Sequence, residues 1–322
     1  MSSFPTGWIR PADRTVEQAK AHEDAVNGMP RFSVAKAFTP LPKGTKIDLT
    51  ERWSHEKVVA DIGFPFPRFH QIEGSCVGAS LGNAAVSLSC TQRTLPTGAT
   101  KAAIFYWLFN YGRGRLMGGM RGRGHGSFVS AQAKQAILEG MVVDQGSAMP
   151  DFQQADGLVV SSATETQFSD GTYSAQWVNL AKEHPIGTAA PANDVETIYE
   201  GIANGFPYHY GCDYFIGHGA IKGSGEKACV MGKYDTYGPH ATCFLGVWEH
   251  EDFGLLFKYQ NNWPKGVYPA DPNGKGSPCS LWTPASEVTR MINNMGGKGE
   301  GFLYSHLNWF PAQVDELLNW VP

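Results

Sequence analysis

This chain of 322 residues predicts an α+β fold whose helices lie in its first half and whose strands lie in its second. Three observations carry that reading. An apolar run of small residues follows Gly74, an amphipathic pattern runs from Val129 to Gly140, and beyond Phe206 short aromatic or β-branched runs punctuated by glycine replace both. The first two have helical spacing and the third has the look of strands. Helices and strands segregated in this way leave the natural cleft between the two halves.

Residues 1–55 are polar, carry Pro30, Pro40 and Pro42, and hold one helix across Val16 to Val26. They are expected to form an N-terminal extension that packs across the outside of the molecule or reaches towards a partner, without entering the cleft. A helical subdomain is expected over residues 56–190 and a β-rich one over 191–322. Phe64 to His70 is extended, because each proline biases its predecessor away from helix. Gly74-Ser-Cys-Val-Gly then opens a buried helix through Leu88. Lys101 to Tyr111 reads as a second helix, and Val129 to Gly140 as a third, with a glycine C-cap. Residues 151–190 lack a period and read as irregular. Asp194 to Asn204 is a short helix capped by Asn193 and stopped by Gly205. Strands follow at Phe206 to Tyr214, Ala241 to Trp248 and Gly254 to Tyr259.

Composition excludes several function classes. A hydrophobic fraction of 42% and a charged fraction of 17% are ordinary for a soluble globular protein. The net charge of −4 argues against a general nucleic-acid binder. No stretch approaches the roughly 18 apolar residues of a membrane span. The first residues lack a basic region followed by an apolar run, so export through a signal peptide is not expected. The six cysteines are widely spaced in a chain too large to need staples, and free thiols are expected.

The chemistry concentrates at three places. Cys76 sits where an extended segment meets a helix N-terminus, whose dipole favours a thiolate. His240 heads an apolar strand, in Gly238-Pro-His-Ala-Thr-Cys-Phe-Leu-Gly-Val. Lys258-Tyr-Gln-Asn-Asn-Trp-Pro-Lys-Gly ends a partner strand in an amide that could fix a histidine tautomer, with an indole to shield it. Taken singly, each has a bland reading: a buried small residue, a structural histidine, a turn.

Taken together, the order Cys, His, Asn, with Gly-Ser-Cys at a helix start, His-Ala on a strand and Asn-x-Trp on the next, resembles the papain family of cysteine peptidases. The resemblance runs in patches from Phe69 to Gly266. It implies a papain-like fold, a helical left half and a β-sheet or barrel right half with the active-site cleft between them. It makes Cys76 the nucleophile, His240 the base, Asn261 the orienting amide and Trp263 its cover; Asn262 is one residue too close to Trp263 for that role. His240 and Asn261 follow Cys76 by 164 and 185 residues, longer than the family's usual gap of about 130–150. Gly126 and Ser127 match a glycine-bordered cleft wall, and Ala241 a small residue flooring the second substrate pocket.

Departures are specific. The family's oxyanion glutamine stands six residues before the cysteine, where this chain has His70; Gln71 stands five before. Glu73 replaces a disulfide cysteine, Pro264 replaces the glycine after the tryptophan, and a long inhibitory propeptide is not expected, since about 55 residues precede the domain. These features resemble compact bacterial or bacteriophage members, and a cytoplasmic or virion-associated location is expected.

The implied activity is hydrolysis of peptide bonds through a thioester acyl-enzyme, without cofactor or metal, on a peptide or protein substrate. The alternatives are an amidase or endopeptidase on cell-wall stem peptides, a non-catalytic component of a larger assembly such as a virus particle, and a transglutaminase-like acyltransferase. Gly112 to Gly126, with four arginines, is expected as a mobile loop rimming the cleft rather than a nucleic-acid contact. His209-x-x-Cys212 with His218 lacks the second close pair of a zinc site, and Asp271-Pro-Asn-Gly is a turn.

Overall fold

The computed structural model describes residues 7–29, 40–51, 69–91, 105–121, 124–143, 153–154, 158–159, 162–171, 173–263, 266–273, 279–294 and 300–307. Helix α1 (Val16–Gly28) starts with a reciprocal capping box between Thr15 and Gln18. Strand β1 (Lys46–Asp48) follows it. Helix α2 (Cys76–Thr91) is buried at every position whose side chain is described. Its small residues make that burial feasible: a side chain at Gly78 would collide with Tyr111, and one at Gly82 with Phe69 and Trp107. The two glycines therefore let α2 lie close against helix α3 (Trp107–Met117).

Helix α3 corrects two expectations. It begins later than the helix expected from Lys101, whose residues 101–104 lie outside the described ones, and it extends through Arg113 and Arg115 to Met117. Much of the glycine- and arginine-rich segment is therefore helix and not loop. Gly112 faces the Phe168 carbonyl and Gly114 faces Gln132, so these glycines mark close packing. The buried Arg115 guanidinium donates to the carbonyls of Ser169 (2.7 Å), Met120 (3.0 Å), Gly124 and Gly126. Arg115 thus organises the turn around itself. Arg113 pairs with Glu139, just beyond helix α4 (Val129–Leu138).

The segment expected to be irregular contains the short pair β2 (Gln153–Gln154) and β3 (Leu158–Val159), then α5 (Ser162–Ser169) and α6 (Ala175–Lys182). Aromatic stacking holds α5 and α6, with Phe168, Tyr173 and Trp177 rings in parallel and Tyr106 edge-on. Two helices of eight residues each show little periodicity, which is why the pattern hid them.

Strands β4 (Ala189–Pro191), β5 (Tyr208–Phe215), β6 (Gly219–Lys222), β7 (Cys229–Gly232), β8 (Thr236–His250), β9 (Gly254–Gln260), β10 (Ser280–Pro284) and β11 (Glu300–Tyr304) form one sheet. Its order is β4-β11-β5-β8-β9-β10-β7-β6, with β1 also paired to β8, and it does not close into a barrel. Helix α7 (Val195–Ala203) is capped by Asp194, one residue later than expected, through a 2.7 Å bond from the Thr197 N–H. Helix α8 (Ala285–Asn294) precedes β11. Helix α2 packs against β5 and β8, so its N-terminus stands at the seam between helices and sheet. Among the described residues, no helix is long and apolar enough to cross a membrane.

Candidate active site

Strand β8 is longer than expected and carries His240 inside it, paired with Cys212 of β5. Antiparallel pairing of β8 with β9 sets Cys243 opposite Gln260. Asn261 follows directly, so the ladder alone brings it towards His240. The Asn261 backbone N–H donates to the Cys279 carbonyl at 3.0 Å. Cys279 takes a left-handed backbone (φ 59°) that only a minority of non-glycine residues adopt.

A chain of hydrogen bonds fixes the protons here. The Tyr268 hydroxyl donates to the Ile216 carbonyl (2.6 Å), so its oxygen accepts from Asn261 Nδ2 (2.8 Å). The backbone N–H of Asn262 donates to Asn261 Oδ1 (2.8 Å). Asn261 therefore turns its oxygen to His240 Nε2 at 2.9 Å. Nε2 must carry the hydrogen, and Nδ1 is left as a lone-pair base with no hydrogen-bond partner. The Trp263 indole stacks on the imidazole at 4.8 Å between centroids, and Phe215 stands edge-on to both rings.

On the opposite wall, Cys76 is the first residue of α2. The backbone N–H groups of Ala241, Gly7 and Val77 point at its sulfur, which puts the thiol one residue from His240. The preceding loop is held by Glu165 of α5, whose carboxylate accepts from the N–H groups of Ile72 (2.9 Å) and Glu73 (3.0 Å). Tyr111 donates to the Gly74 carbonyl at 3.1 Å. Asn262 Nδ2 spans the walls, donating to Gln71 Oε1 at 2.5 Å and to the Cys76 carbonyl at 3.3 Å. Gln71 is buried, with Nε2 bonded to the Glu73 carbonyl at 3.0 Å. His70 is half-buried one residue further from α2.

The N-terminal segment lies along this groove, contrary to the expectation that it stays outside. Gly7 packs so tightly on Gly74 that any side chain would overlap the Gly74 carbonyl. Ser127 donates its N–H to the Gly7 carbonyl and accepts from the Ile9 N–H, both at 2.8 Å, in a parallel bridge centred on Trp8. Gly126 has φ 105° and turns the chain at this contact. Arg10 pairs with Asp213 and lies over the Tyr237 ring.

The groove so covered alters the expected electrostatics. Burial pushes the Cys76 thiol up to about 12, against the opposing pull of the three N–H groups. Burial also pushes His240 down to about 4, opposed by its bond to Asn261. A thiolate favoured by the helix N-terminus was expected; in this closed form the pair is a neutral thiol and a neutral imidazole, because desolvation outweighs the helix end.

The structure therefore brings together Cys76, His240, Asn261, Trp263, Gln71 and Ala241, with Gly126 and Ser127 along the groove. Sequence reasoning missed Asn262, Tyr268, Glu165 and Trp8. Only Asn262 left a signal, as the second member of an Asn-Asn doublet. His209 and Cys212 point to opposite faces of β5, as an odd spacing on a strand requires; His209 bonds Tyr304 at 3.0 Å. The five cysteines with described side chains are free thiols.

No protein-family model matches the chain, and no curated protein matches it in sequence. Solved structures do match. The crystal structure of xylellain, a cysteine protease from Xylella fastidiosa, aligns over 95% of this chain and 98% of its own, with a TM-score of 0.58 at 16% identity. ProCathepsin B S9 from Trypanosoma congolense aligns over 94% and 87%, with a TM-score of 0.51 at 12% identity. Digestive procathepsin L 3 of Tenebrio molitor larval midgut aligns over 94% and 83%, with 0.51 at 12%. The segregated helices and sheet, the seam between them and these likenesses agree: the chain has the papain-like cysteine-protease fold.

Proposed function

We propose that the protein is a cysteine peptidase held latent by its own N-terminal segment. One observation carries the reading: His240 has Nε2 committed to Asn261, a face covered by Trp263, and Nδ1 unpartnered, and the next residue, Ala241, turns its N–H to the Cys76 sulfur. Buried polar atoms are ordinarily satisfied, and an imidazole nitrogen kept available beside a thiol is what proton transfer requires. When the segment leaves, water and substrate enter and the desolvation of both groups falls. The Cys76 proton passes to His240 Nδ1, and the thiolate attacks a peptide carbonyl. The Cys76 N–H and the Gln71 amide stabilise the oxyanion. His240 returns its proton to the leaving amine, then takes one from the water that hydrolyses the thioester. Asn261 holds the ring in register throughout, as the third member of such a triad does.

The covered groove and neutral pair also suit a non-catalytic component of an assembly, and one experiment separates the two readings. The full chain and its Trp8→Ala and Arg10→Ala variants would be treated with iodoacetamide at neutral pH. Peptide and cell-wall stem-peptide hydrolysis would be followed in parallel. Cys76 should alkylate about tenfold faster or more in the loosened variants than in the parent, and Cys76→Ala should remove hydrolysis, about 10⁴-fold or more. Labelling of Cys76 no faster than the buried Cys243 in every variant, with no cleavage, would establish the non-catalytic reading instead.

A further inference from the structure

The loop that leads into α2 carries Gln71, and one buried side chain grips that loop from far along the chain. Glu165 stands in the first turn of α5 and is fully buried. Its two oxygens are divided between neighbouring peptide groups: Oε2 accepts from the Ile72 N–H at 2.9 Å and Oε1 from the Glu73 N–H at 3.0 Å. The Glu73 carbonyl in turn accepts from Gln71 Nε2 and from the Ser75 N–H, both at 3.0 Å. Carboxylate, Glu73 backbone and Gln71 amide therefore form one connected chain that ends one residue before Cys76.

Two N–H groups converge here, and only an ionised carboxyl supplies two full acceptors for them. A proton on either oxygen sets a donor against an N–H, and one peptide group loses its partner. Burial raises Glu165 above its ordinary 4.5, and the like charge of Glu73 adds to that. Glu73 is itself bonded to Ser162 and lies 4.0 Å from His125 Nε2. Cys76 and Tyr111 also feel the Glu165 charge, while Arg115 of α3 is committed to the Ser169 carbonyl at the far end of α5. The ionised form is thus the costly one, and it alone completes the loop.

Resting on the peptidase reading above, we propose that Glu165 is a positioning residue for the oxyanion donors: its carboxylate holds the Gln71 amide and the Cys76 N–H in place, and taking up a proton disengages them while the thiol and His240 stay as they are. Turnover then rises as pH increases through the ionisation of Glu165, separately from any change in the nucleophile. The sign follows from the contacts. The form that binds both N–H groups is the deprotonated one, and it is populated above the raised value.

Iodoacetamide separates the two effects, because displacement at its saturated carbon forms no oxyanion and its rate follows the thiolate. In the full chain opened by Trp8→Ala, kcat and KM for a peptide and the alkylation rate of Cys76 would be measured from about pH 4 to about pH 9, a span that covers carboxyl and imidazole. The ratio of kcat to alkylation rate isolates the oxyanion donors. On the acid side it should climb with pH by about tenfold or more in the Trp8→Ala parent. Glu165→Gln in that background offers one acceptor oxygen and sets an NH2 against the other N–H. It should lower kcat by about tenfold or more, leave KM and alkylation little changed, and flatten the ratio. Glu165→Asp keeps both oxygens and should restore the slope in part, and it carries the test if the Gln variant does not fold. A flat ratio in the parent, or the parent's slope retained in Glu165→Gln, overturns the proposal and leaves the peptidase reading standing. If no Cys76-dependent cleavage occurs in the parent at any pH, the peptidase reading falls and takes the proposal with it.

Discussion

His240 and Asn261 stand on one wall of the groove, Cys76 and Gln71 on the other, and different forces build the two walls. On the sheet wall, pairing of β8 with β5 and β9 sets the register, and each residue inherits its position from its neighbours. The Asn261, Tyr268 and Ile216 bonds only aim what the ladder has placed. On the helical wall, residues 71–75 belong to no ladder. They are held by Glu165 from 92 or 93 residues away in sequence, by Tyr111, and by Asn262 from the opposite wall. A strand places a side chain through its backbone; a loop needs side chains from elsewhere to place its backbone.

The largest effect expected from this contrast is on the helical wall. Gln71→Ala should lower turnover by about 10²–10³, with KM little changed, in a chain already opened by Trp8→Ala. Steady-state kinetics checks it, and unchanged turnover would move the oxyanion donor to His70.

Two buried carboxylates sharpen the comparison because they titrate in opposite directions. Burial alone would raise Glu300, but hydrogen bonding from His22 and the charge of Arg14 bring it down to about 2 from 4.5. A carboxyl lowered on folding contributes stability that is present above 4.5 and lost as pH falls from 4.5 towards 2, about 3 kcal/mol across that window. Glu165 is raised, first by desolvation; the bonds from the Ile72 and Glu73 N–H groups oppose the shift. Its linkage has the other sign: stability falls as pH rises from 4.5 through its raised value. Thermal unfolding against pH should therefore show Glu300→Gln flattening the acid limb and Glu165→Gln flattening the limb above pH 4.5. Identical limbs in parent and variants would show that neither carboxylate is coupled to folding in this way.

The smallest effect concerns the loop staple alone. Glu165→Ala leaves the backbone N–H groups of Ile72 and Glu73 without their acceptor, and the expected loss is about 2 kcal/mol. Denaturant unfolding measures it, and a loss well below that would mean the loop keeps its shape through Tyr111 and Asn262.

Legibility followed the same division. The strands around His240 and Asn261 could be read because short aromatic or β-branched runs punctuated by glycine are local signals. The buried helix from Cys76 could be read because small apolar residues at helical spacing are local too. Helices α5 and α6 could not, since their hold is aromatic stacking between residues that only the fold brings together. Arg115 misled for a related reason: an arginine among glycines reads as an exposed loop, yet its guanidinium finds carbonyls on four residues and becomes the centre of the turn.

By itself the sequence determined the α+β class and the elements that carry Cys76, His240 and Asn261, because propensity and patterning act over a few residues at a time. Only the tertiary structure decided which nitrogen of His240 carries the hydrogen, how Gln71 is held, and that Gly7 and Trp8 lie in the groove. Those outcomes depend on hydrogen bonds and desolvation between residues tens to hundreds of positions apart, such as Trp8 with Glu300. A side chain's protonation and access are set by what surrounds it after folding, and no local pattern contains that information.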